Sequence, residues 1–138
     1  MQRVMLKSKI HRATVSAAAL HYVGSLTVDA ALLEAADIIE HEQIHVLNVA
    51  NGARFETYAM AGERGSGEMK VNGAAARLAH PGDTIIVLSY GLYDRDELTG
   101  YRPVVVHVDQ FNAPTTRDPM TLDLDGDEAA LGRTGARQ

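Results

Sequence analysis

Residues 43–58 read QIHVLNVANGARFETY and decide the fold class of this chain. Apolar side chains at Ile44, Val46 and Val49 indicate a strand, and the pair Asn51-Gly52 follows it. Asn-Gly between two apolar runs is a strong hairpin signal, because both central residues of such a turn take positive φ. Residues 54–58 then form the returning strand. The stretch therefore predicts an antiparallel hairpin.

Working outward, other short apolar segments continue the strand pattern. Residues 2–15 predict one or two strands, residues 84–88 predict a buried strand, and residues 103–108 predict the last one. Residues 30–39 carry apolar side chains at helical spacing, and Asp29 or Thr27 can cap this helix by accepting from its free N–H groups. Many short strands with frequent glycine turns and one or two short helices predict a mainly β protein, a small β-barrel.

Length and composition exclude several classes of protein. A chain of 138 residues predicts one domain, and the absence of cysteine excludes disulfides and thiolate nucleophiles. No apolar run approaches the roughly 20 residues that span a bilayer. A formal net charge of -5 gives no reason to expect nucleic acid as a partner. We therefore expect a cytoplasmic protein without a membrane or nucleic-acid partner.

The two ends of the chain differ in composition. Residues 1–24 contain four basic side chains and no acidic one. A targeting peptide has a similar charge pattern, but the interleaved apolar residues favour a strand, and we interpret the segment as a basic surface for an acidic ligand. After Phe111 the sequence becomes rich in Asp, Gly, Pro, Thr and Arg. This change predicts a folded domain over residues 1–111 and a flexible tail over residues 112–138.

The Gly24-Ser25 bond, within HYVGS at residues 21–25, is a candidate site of self-cleavage. The Gly24 carbonyl is not crowded by a Cβ, and the Ser25 hydroxyl is the nucleophile closest to it. Attack of this hydroxyl shifts the acyl group from nitrogen to oxygen, and β-elimination of the ester leaves a residue that hydrolyses to a ketone. A backbone-derived ketone is an electron sink for covalent catalysis. Taken alone, a Gly-Ser pair is most often a turn.

A competing pattern lies at residues 41–45, which read HEQIH and match the zinc-protease motif H-E-x-x-H. That motif requires both histidines on one face of a continuous helix, with the glutamate as general base. The helical pattern fades at residues 39–40, and His45 starts the strand that leads to Asn51-Gly52. We expect the imidazoles of His41 and His45 to diverge in a polar connection and predict no metal site here.

Five blocks of sequence occur in a defined order: MLKSKIHRATVS at 5–16, LHYVGS at 20–25, NGARFETYA at 51–59, GERGSG at 62–67 and VNGAAARLAHPGD at 71–83. Together they resemble the pyruvoyl-dependent aspartate 1-decarboxylase family over roughly residues 1–111. The resemblance implies a double-psi β-barrel and a homotetramer with active sites between subunits. It also implies decarboxylation of L-aspartate to β-alanine for pantothenate synthesis, after cleavage that turns Ser25 into a covalent pyruvoyl group.

The resemblance implies a role for several side chains on the strand of residues 54–58. Arg54, helped by Lys9, matches the group that pairs with a substrate carboxylate, and a guanidinium fork suits that partner. Thr57 matches the hydroxyl that polarises the Gly24 carbonyl during processing and then contacts substrate. Tyr58 matches the proton donor. Without the resemblance, Arg54 is read as a surface residue and Tyr58 as a core residue.

Residues 72–75 read NGAA and bring consecutive backbone N–H groups next to small side chains. Such a nest binds anions and lets a ligand approach the main chain. By the resemblance, substrate contacts come from Asn72, Gly73, Ala74 and Ala75. A turn that enters a helix is the plain alternative. A non-catalytic, uncleaved β-barrel binding module remains the alternative for the whole chain, and the need for a maturation factor is left open.

Overall fold

The structure, a computed structural model, describes residues 1–115. Their main elements are eight strands and a short helix: β1 Arg3–Thr14, β2 Ala17–Ala19, β3 Ser25–Asp29, α1 Ala30–Ala35, β4 Gln43–Asn48, β5 Arg54–Gly62, β6 Met69–Asn72, β7 Thr84–Tyr93 and β8 Val104–His107. Two 3₁₀ helices, Gly73–Arg77 and Asp96–Leu98, complete the described part. The predicted mainly β fold with little helix is confirmed.

The strands form one continuous curved sheet in the order β2-β6-β3-β5-β4-β7-β1-β8. The sheet is mixed: β1 pairs with β8, β2 with β6 and β3 with β5 in parallel, and the other neighbouring strands are antiparallel. One face of the sheet packs into a single core, whose fully buried members include Ile10, Leu26, Ile44 and Val87.

The hairpin predicted over residues 43–58 is present as β4 and β5, with Val46 opposite Phe55. Its turn differs from the two-residue form that Asn-Gly predicts, because only Gly52 takes a positive φ, of 76°. The backbone N–H of Asn48 donates to the Ala53 carbonyl at 2.8 Å, which closes a longer loop. The Asn51 side chain accepts from the Ala53 N–H at 2.9 Å, and this local bond replaces the expected turn geometry.

The predicted helix is shorter than expected and ends at Ala35 rather than at residue 39. Asp37 takes a φ of 56°, in the left-handed region, and the N–H of Ile38 bonds back to the Leu33 carbonyl at 2.9 Å. This is the hydrogen-bond pattern that closes a helix C-terminus. The prediction that the helix ends before His45 is confirmed, since His45 lies on β4.

The first residues of the predicted tail pack on the domain. Asn112 is buried, and its side chain bonds to both the N–H and the carbonyl of Thr14 and to the Gly67 carbonyl, at 2.7–2.8 Å. The Thr115 N–H donates to the His107 carbonyl at 2.8 Å. The packed part therefore extends beyond Phe111, and residues 116–138 of the predicted tail lie outside the described residues. None of the helices within residues 1–115 has the length and apolar character needed to cross a bilayer.

Asp29 fixes the junction between β3, α1 and the loop that joins β5 to β6. Its buried carboxylate accepts from the N–H groups of Ala31, Gly65 and Gly67 at 2.8–2.9 Å. Burial on its own raises the pKa of Asp29, but these three donors, together with the charge of Arg64, outweigh it and lower the pKa below the ordinary 3.8. The charged carboxylate therefore stabilises the fold.

We expect Asp29→Asn to lower the free energy of unfolding by about 2 kcal/mol at neutral pH, because an amide turns one acceptor into a donor that faces an N–H. A group with a depressed folded pKa stabilises above its unfolded pKa, and the contribution is lost as the pH falls through the folded value. The difference between wild type and Asp29→Asn should therefore shrink below about pH 4. Denaturant melts of both proteins, with the exposed Asp96→Asn as control, measure this; a pH-independent difference would contradict it.

Candidate active site

The side chain of Asn72 holds the hydroxyl of Ser25. Ser25 is the first residue of β3 and Asn72 the last of β6, and the two lie directly opposite each other in antiparallel pairing. The Asn72 Nδ2 donates to Ser25 Oγ at 3.0 Å and to Thr27 Oγ1 at 2.9 Å. Both Ser25 and Asn72 are buried. The Ser25 hydroxyl, the candidate nucleophile, is thus held in a buried position next to the predicted cleavage bond.

Gly73 brings a second part of the chain against this bond. It takes a φ of 72°, and a Cβ at this position would lie 2.6 Å from the Cα and 2.9 Å from the N of Gly24. The Tyr22 carbonyl would be 3.1 Å away. Only glycine allows this approach, so the turn at residues 72–73 packs directly on the backbone that precedes Ser25. Ala74 and Ala75 follow in the 3₁₀ helix that starts at Gly73.

Tyr58 lies on the strand next to Ser25. In the parallel pairing of β3 with β5, Leu26 is opposite Ala59, and both are fully buried in the core. Ser25 and Tyr58 are the residues just before this pair. Because side chains alternate along a strand, both point to the face opposite the core. The Tyr58 ring is half-buried, and the His41 ring stacks on it with a centroid distance of 6.2 Å.

Arg54 shares this face with Tyr58, as strand alternation predicts. It is exposed at the start of β5, and among residues 1–115 it has no ion-pair partner. Glu56 lies between the two on the same face, where it accepts from the Gln43 amide at 2.7 Å and pairs with His45 at 3.5 Å. With Glu56 engaged on β4, the guanidinium of Arg54 is the side chain of β5 best placed to receive an anion.

The structure does not bring Lys9 and Thr57 to Ser25. Lys9 on β1 lies opposite Leu88 on β7. The same row of paired residues continues through His45 on β4 to Glu56 on β5. Three strand spacings, about 14 Å, therefore separate the Lys9 backbone from β5. Thr57 lies opposite the fully buried Ile44, on the core face. Within the described part of the chain, no hydrogen bond joins its hydroxyl to Gly24.

Sequence reasoning missed two residues near the cleavage bond. Thr27 accepts the second hydrogen bond of the Asn72 amide, and its spacing of two residues from Ser25 on a strand was the available signal. Lys70 lies opposite Thr27, and its Nζ is 4.7 Å from the centre of the Tyr22 ring. A cation over an aromatic ring at this distance is attractive. It ties the segment before Gly24 to β6.

The H-E-x-x-H residues do not form the geometry of that motif. His41 has a φ of 75° in the loop before β4 and stacks on Tyr58. His45 lies on β4, where it pairs with Glu56 and packs edge-on against Tyr90 with ring centroids 5.0 Å apart. The two imidazoles contact different groups and share no helix. Residues 1–115 bring together no cluster of three or more His, Asp or Glu able to hold a metal ion.

Comparison with known proteins identifies the family. The family model for aspartate decarboxylase matches residues 1–115, which is the whole described part of the chain. The chain belongs to the aspartate decarboxylase family. The aspartate 1-decarboxylase of Acetivibrio thermocellus is 59% identical over 108 residues, which cover 78% of this chain and 86% of that relative. The family resemblance predicted from the five sequence blocks is confirmed.

A test of the contact between Gly73 and Gly24 follows from this geometry. We expect Gly73→Ala to destabilise the fold by at least about 1 kcal/mol, because alanine is strained at positive φ, and to slow cleavage before Ser25 strongly, because its Cβ displaces Gly24. Gly52→Ala is the matched control, with a φ of 76° and nothing within 4 Å of the added Cβ. Thermal melts and intact-mass time courses check both. Equal cleavage rates in the two variants would rule out the contact as a determinant of processing.

Proposed function

We propose that this protein is a self-processing enzyme that decarboxylates L-aspartate to β-alanine, and thereby supplies pantothenate and coenzyme A synthesis. The single observation that carries the proposal is the hydrogen bond from the buried Asn72 amide to the Ser25 hydroxyl, beside Gly24. Membership of the aspartate decarboxylase family supports the substrate. The name of the relative from Acetivibrio thermocellus points to the same reaction.

Processing starts with attack of Ser25 Oγ on the Gly24 carbonyl carbon. The peptide C–N bond breaks as the C–O bond forms, and the freed nitrogen takes the proton of the hydroxyl. Loss of the Ser25 Cα proton then expels the Gly24 carboxylate, and water replaces the resulting enamine nitrogen as ammonia. Asn72 fixes the hydroxyl at the start of this sequence. In our proposal Thr57 polarises the carbonyl, which requires a local rearrangement that brings the Gly24 carbonyl to the Thr57 hydroxyl.

The product of these steps is a pyruvoyl group made from Ser25, and the surroundings fit it. The Asn72 Oδ1 is buried and has no hydrogen-bond partner within the described residues. A buried carboxamide oxygen without a partner is costly, and a substrate ammonium brings the N–H donors that satisfy it. When present, the pyruvoyl group supplies an electron sink for the carbon that loses CO2.

Arg54 and the main chain at residues 73–75 are proposed to hold the two carboxylates of aspartate. Arg54 is exposed, and the acidic group next to it, Glu56, is already paired with Gln43 and His45. A planar guanidinium binds a carboxylate with two parallel hydrogen bonds. The small side chains of Ala74 and Ala75 leave backbone N–H groups accessible next to Gly24, which suits the other end of a short dicarboxylate.

Lys9 completes this proposal only in an oligomer. About 14 Å of sheet separates its backbone from β5 in its own chain, and we propose that a second copy supplies its charge near Arg54. Val4 and Leu92 are paired across β1 and β7 and are 68% and 61% exposed, which provides apolar surface for such contact. We therefore propose a homotetramer with shared sites, in the cytoplasm, with no membrane or nucleic-acid partner.

Tyr58 is the proposed proton donor. Tyr58 is on β5, the strand next to that of Ser25, and its side chain is on the same face of the sheet. A tyrosine hydroxyl carries one transferable proton and is among the side chains that act as general acids. It can therefore deliver its proton to the former α-carbon each time CO2 leaves.

We expect Ser25→Ala to leave the chain uncleaved, because the attacking hydroxyl is missing, while the fold is retained. The chain contains a second Gly-Ser pair, Gly65-Ser66, on an exposed loop, so Ser66→Ala is the matched control. Ser66→Ala should cleave like wild type, and only before residue 25. Intact-mass spectra decide the matter. Cleavage before residue 25 in Ser25→Ala would refute the acyl shift, and an uncleaved wild type would favour the binding module.

We expect Tyr58→Phe to mature normally and to keep its Michaelis constant for aspartate, because the ring and the carboxylate contacts remain. Its kcat should fall by roughly a hundredfold, the contribution of a positioned acid. Tyr93→Phe removes a hydroxyl from β7, away from β3 and β5, and should keep full turnover. Assays of β-alanine formation measure both. Near-normal kcat in a fully processed Tyr58→Phe would assign the proton to another donor.

A further inference from the structure

The loop of residues 36–42, which joins α1 to β4, is fixed against β5 next to Tyr58. The His41 N–H donates to the Ala59 carbonyl at 2.7 Å, and the Ala59 N–H donates to the Glu42 carbonyl at 3.0 Å. The Ala61 N–H donates to Glu40 Oε2 at 2.9 Å. The loop therefore continues the sheet hydrogen bonding past Tyr58, although it lies outside any strand.

The side chain of Lys7 on β1 also binds this loop. Lys7 Nζ contacts Glu42 Oε2 at 2.6 Å and the Asp37 carbonyl at 2.5 Å. Both side chains of this ion pair are only about one-fifth exposed. The other carboxylate oxygen of Glu42 accepts from the Ile39 N–H at 3.1 Å. These contacts tie the backbone of the loop to two strands and so restrict where the side chain of His41 can go.

His41 occupies a backbone conformation that few residues adopt, and its ring meets Tyr58. Its φ is 75°, in the left-handed region where glycine is favoured. The imidazole and the Tyr58 ring have centroids 6.2 Å apart and planes 25° apart. This is an offset stack, and pairs of this kind are attractive beyond their buried area. An uncommon backbone conformation thus places an aromatic ring on the proposed proton donor.

Hydrogen bonding does not orient the Tyr58 side chain within the described residues. Within residues 1–115 its hydroxyl makes no hydrogen bond. Gln43, the residue opposite it on β4, uses its amide on Glu56. The orientation of the phenol therefore depends on packing of its ring, and the His41 stack is the aromatic part of that packing.

From these contacts we infer that His41 is a positioning residue, which holds the Tyr58 ring in the orientation from which its hydroxyl delivers a proton. The inference rests on the proposed function, in which Tyr58 is the donor. The role belongs to the ring and not to acid–base chemistry of the imidazole. His41, the first residue of the misleading H-E-x-x-H pattern, thus acts on the decarboxylase site.

Two substitutions of His41 distinguish the effect of its aromatic ring from the effect of its positive φ. His41→Asn accepts positive φ and removes the aromatic ring, whereas His41→Phe keeps a ring of similar size and removes the imidazole nitrogens. Asp37→Asn is the matched control, because Asp37 has a φ of 56° in the same loop and carries no ring. All three are prepared as the mature, cleaved enzyme, with cleavage and thermal stability checked against wild type.

We expect His41→Asn to keep its KM for aspartate and to lose about three- to tenfold in kcat, the effect of one aromatic pair. His41→Phe should recover kcat to within about twofold of wild type, and Asp37→Asn should be unchanged. A second readout does not depend on activity. In protein labelled with 3-fluorotyrosine, the ¹⁹F resonance that disappears in Tyr58→Phe should shift in His41→Asn and move back in His41→Phe.

An unchanged kcat and an unchanged ¹⁹F resonance in His41→Asn would overturn the inference, and so would equal losses of kcat in the Asn and Phe variants. In the Tyr58→Phe background, His41→Asn should cause no further loss of kcat; a further loss would also overturn it. If Tyr58 is not the proton donor, Tyr58→Phe keeps its kcat, while the Tyr58 ¹⁹F resonance still shifts in His41→Asn because the ring stack is lost. A failure of the proposed function is therefore distinguishable from a failure of this inference.

Discussion

The two hydrogen bonds from the Asn72 carboxamide to Ser25 and Thr27 are the interaction on which the site depends. They join β6 to β3 at the end of each strand, where the backbone ladder alone would not fix a side chain. The same turn places Gly73 against Gly24, at an approach that excludes a Cβ. A single segment therefore fixes both the nucleophile and the bond it attacks, and the remaining Asn72 oxygen faces a buried position that lacks a donor.

The sheet then determines which other groups can take part. Leu26 and Ala59 fill the core side of the parallel pair β3–β5, so Tyr58 has to share the opposite side with Ser25. Arg54 follows on the same side by alternation along β5. Arg54 and Tyr58 thus lie on one face at strand spacing, with Glu56 between them, next to the buried Ser25. In our proposal this face receives the short dicarboxylate substrate.

Sequence periodicity and turn chemistry predicted the strands within residues 2–15, 43–58, 84–88 and 103–108 and a helix cap by Asp29 or Thr27, because these depend on neighbouring residues. The short strands β2, β3 and β6 were not predicted. Periodicity and turn chemistry failed where a distant contact decides the conformation. The helix closes early because Asp37 adopts positive φ, with its carbonyl bound by Lys7 from β1. Asn112 packs on the domain through bonds to Thr14, 98 residues away in sequence. The stack of His41 on Tyr58 has no local signal, because it depends on the loop returning to β5.

The mass of the purified, aged protein tests the central claim most directly. If Ser25 attacks Gly24 as proposed, the spectrum contains a fragment of residues 1–24 and a fragment starting at position 25 that is lighter by one ammonia than a serine-initiated chain. Borohydride reduction should then add two hydrogens to the second fragment, since its terminal group is a ketone. A single intact chain, or a second fragment that starts with unmodified serine, would contradict the account.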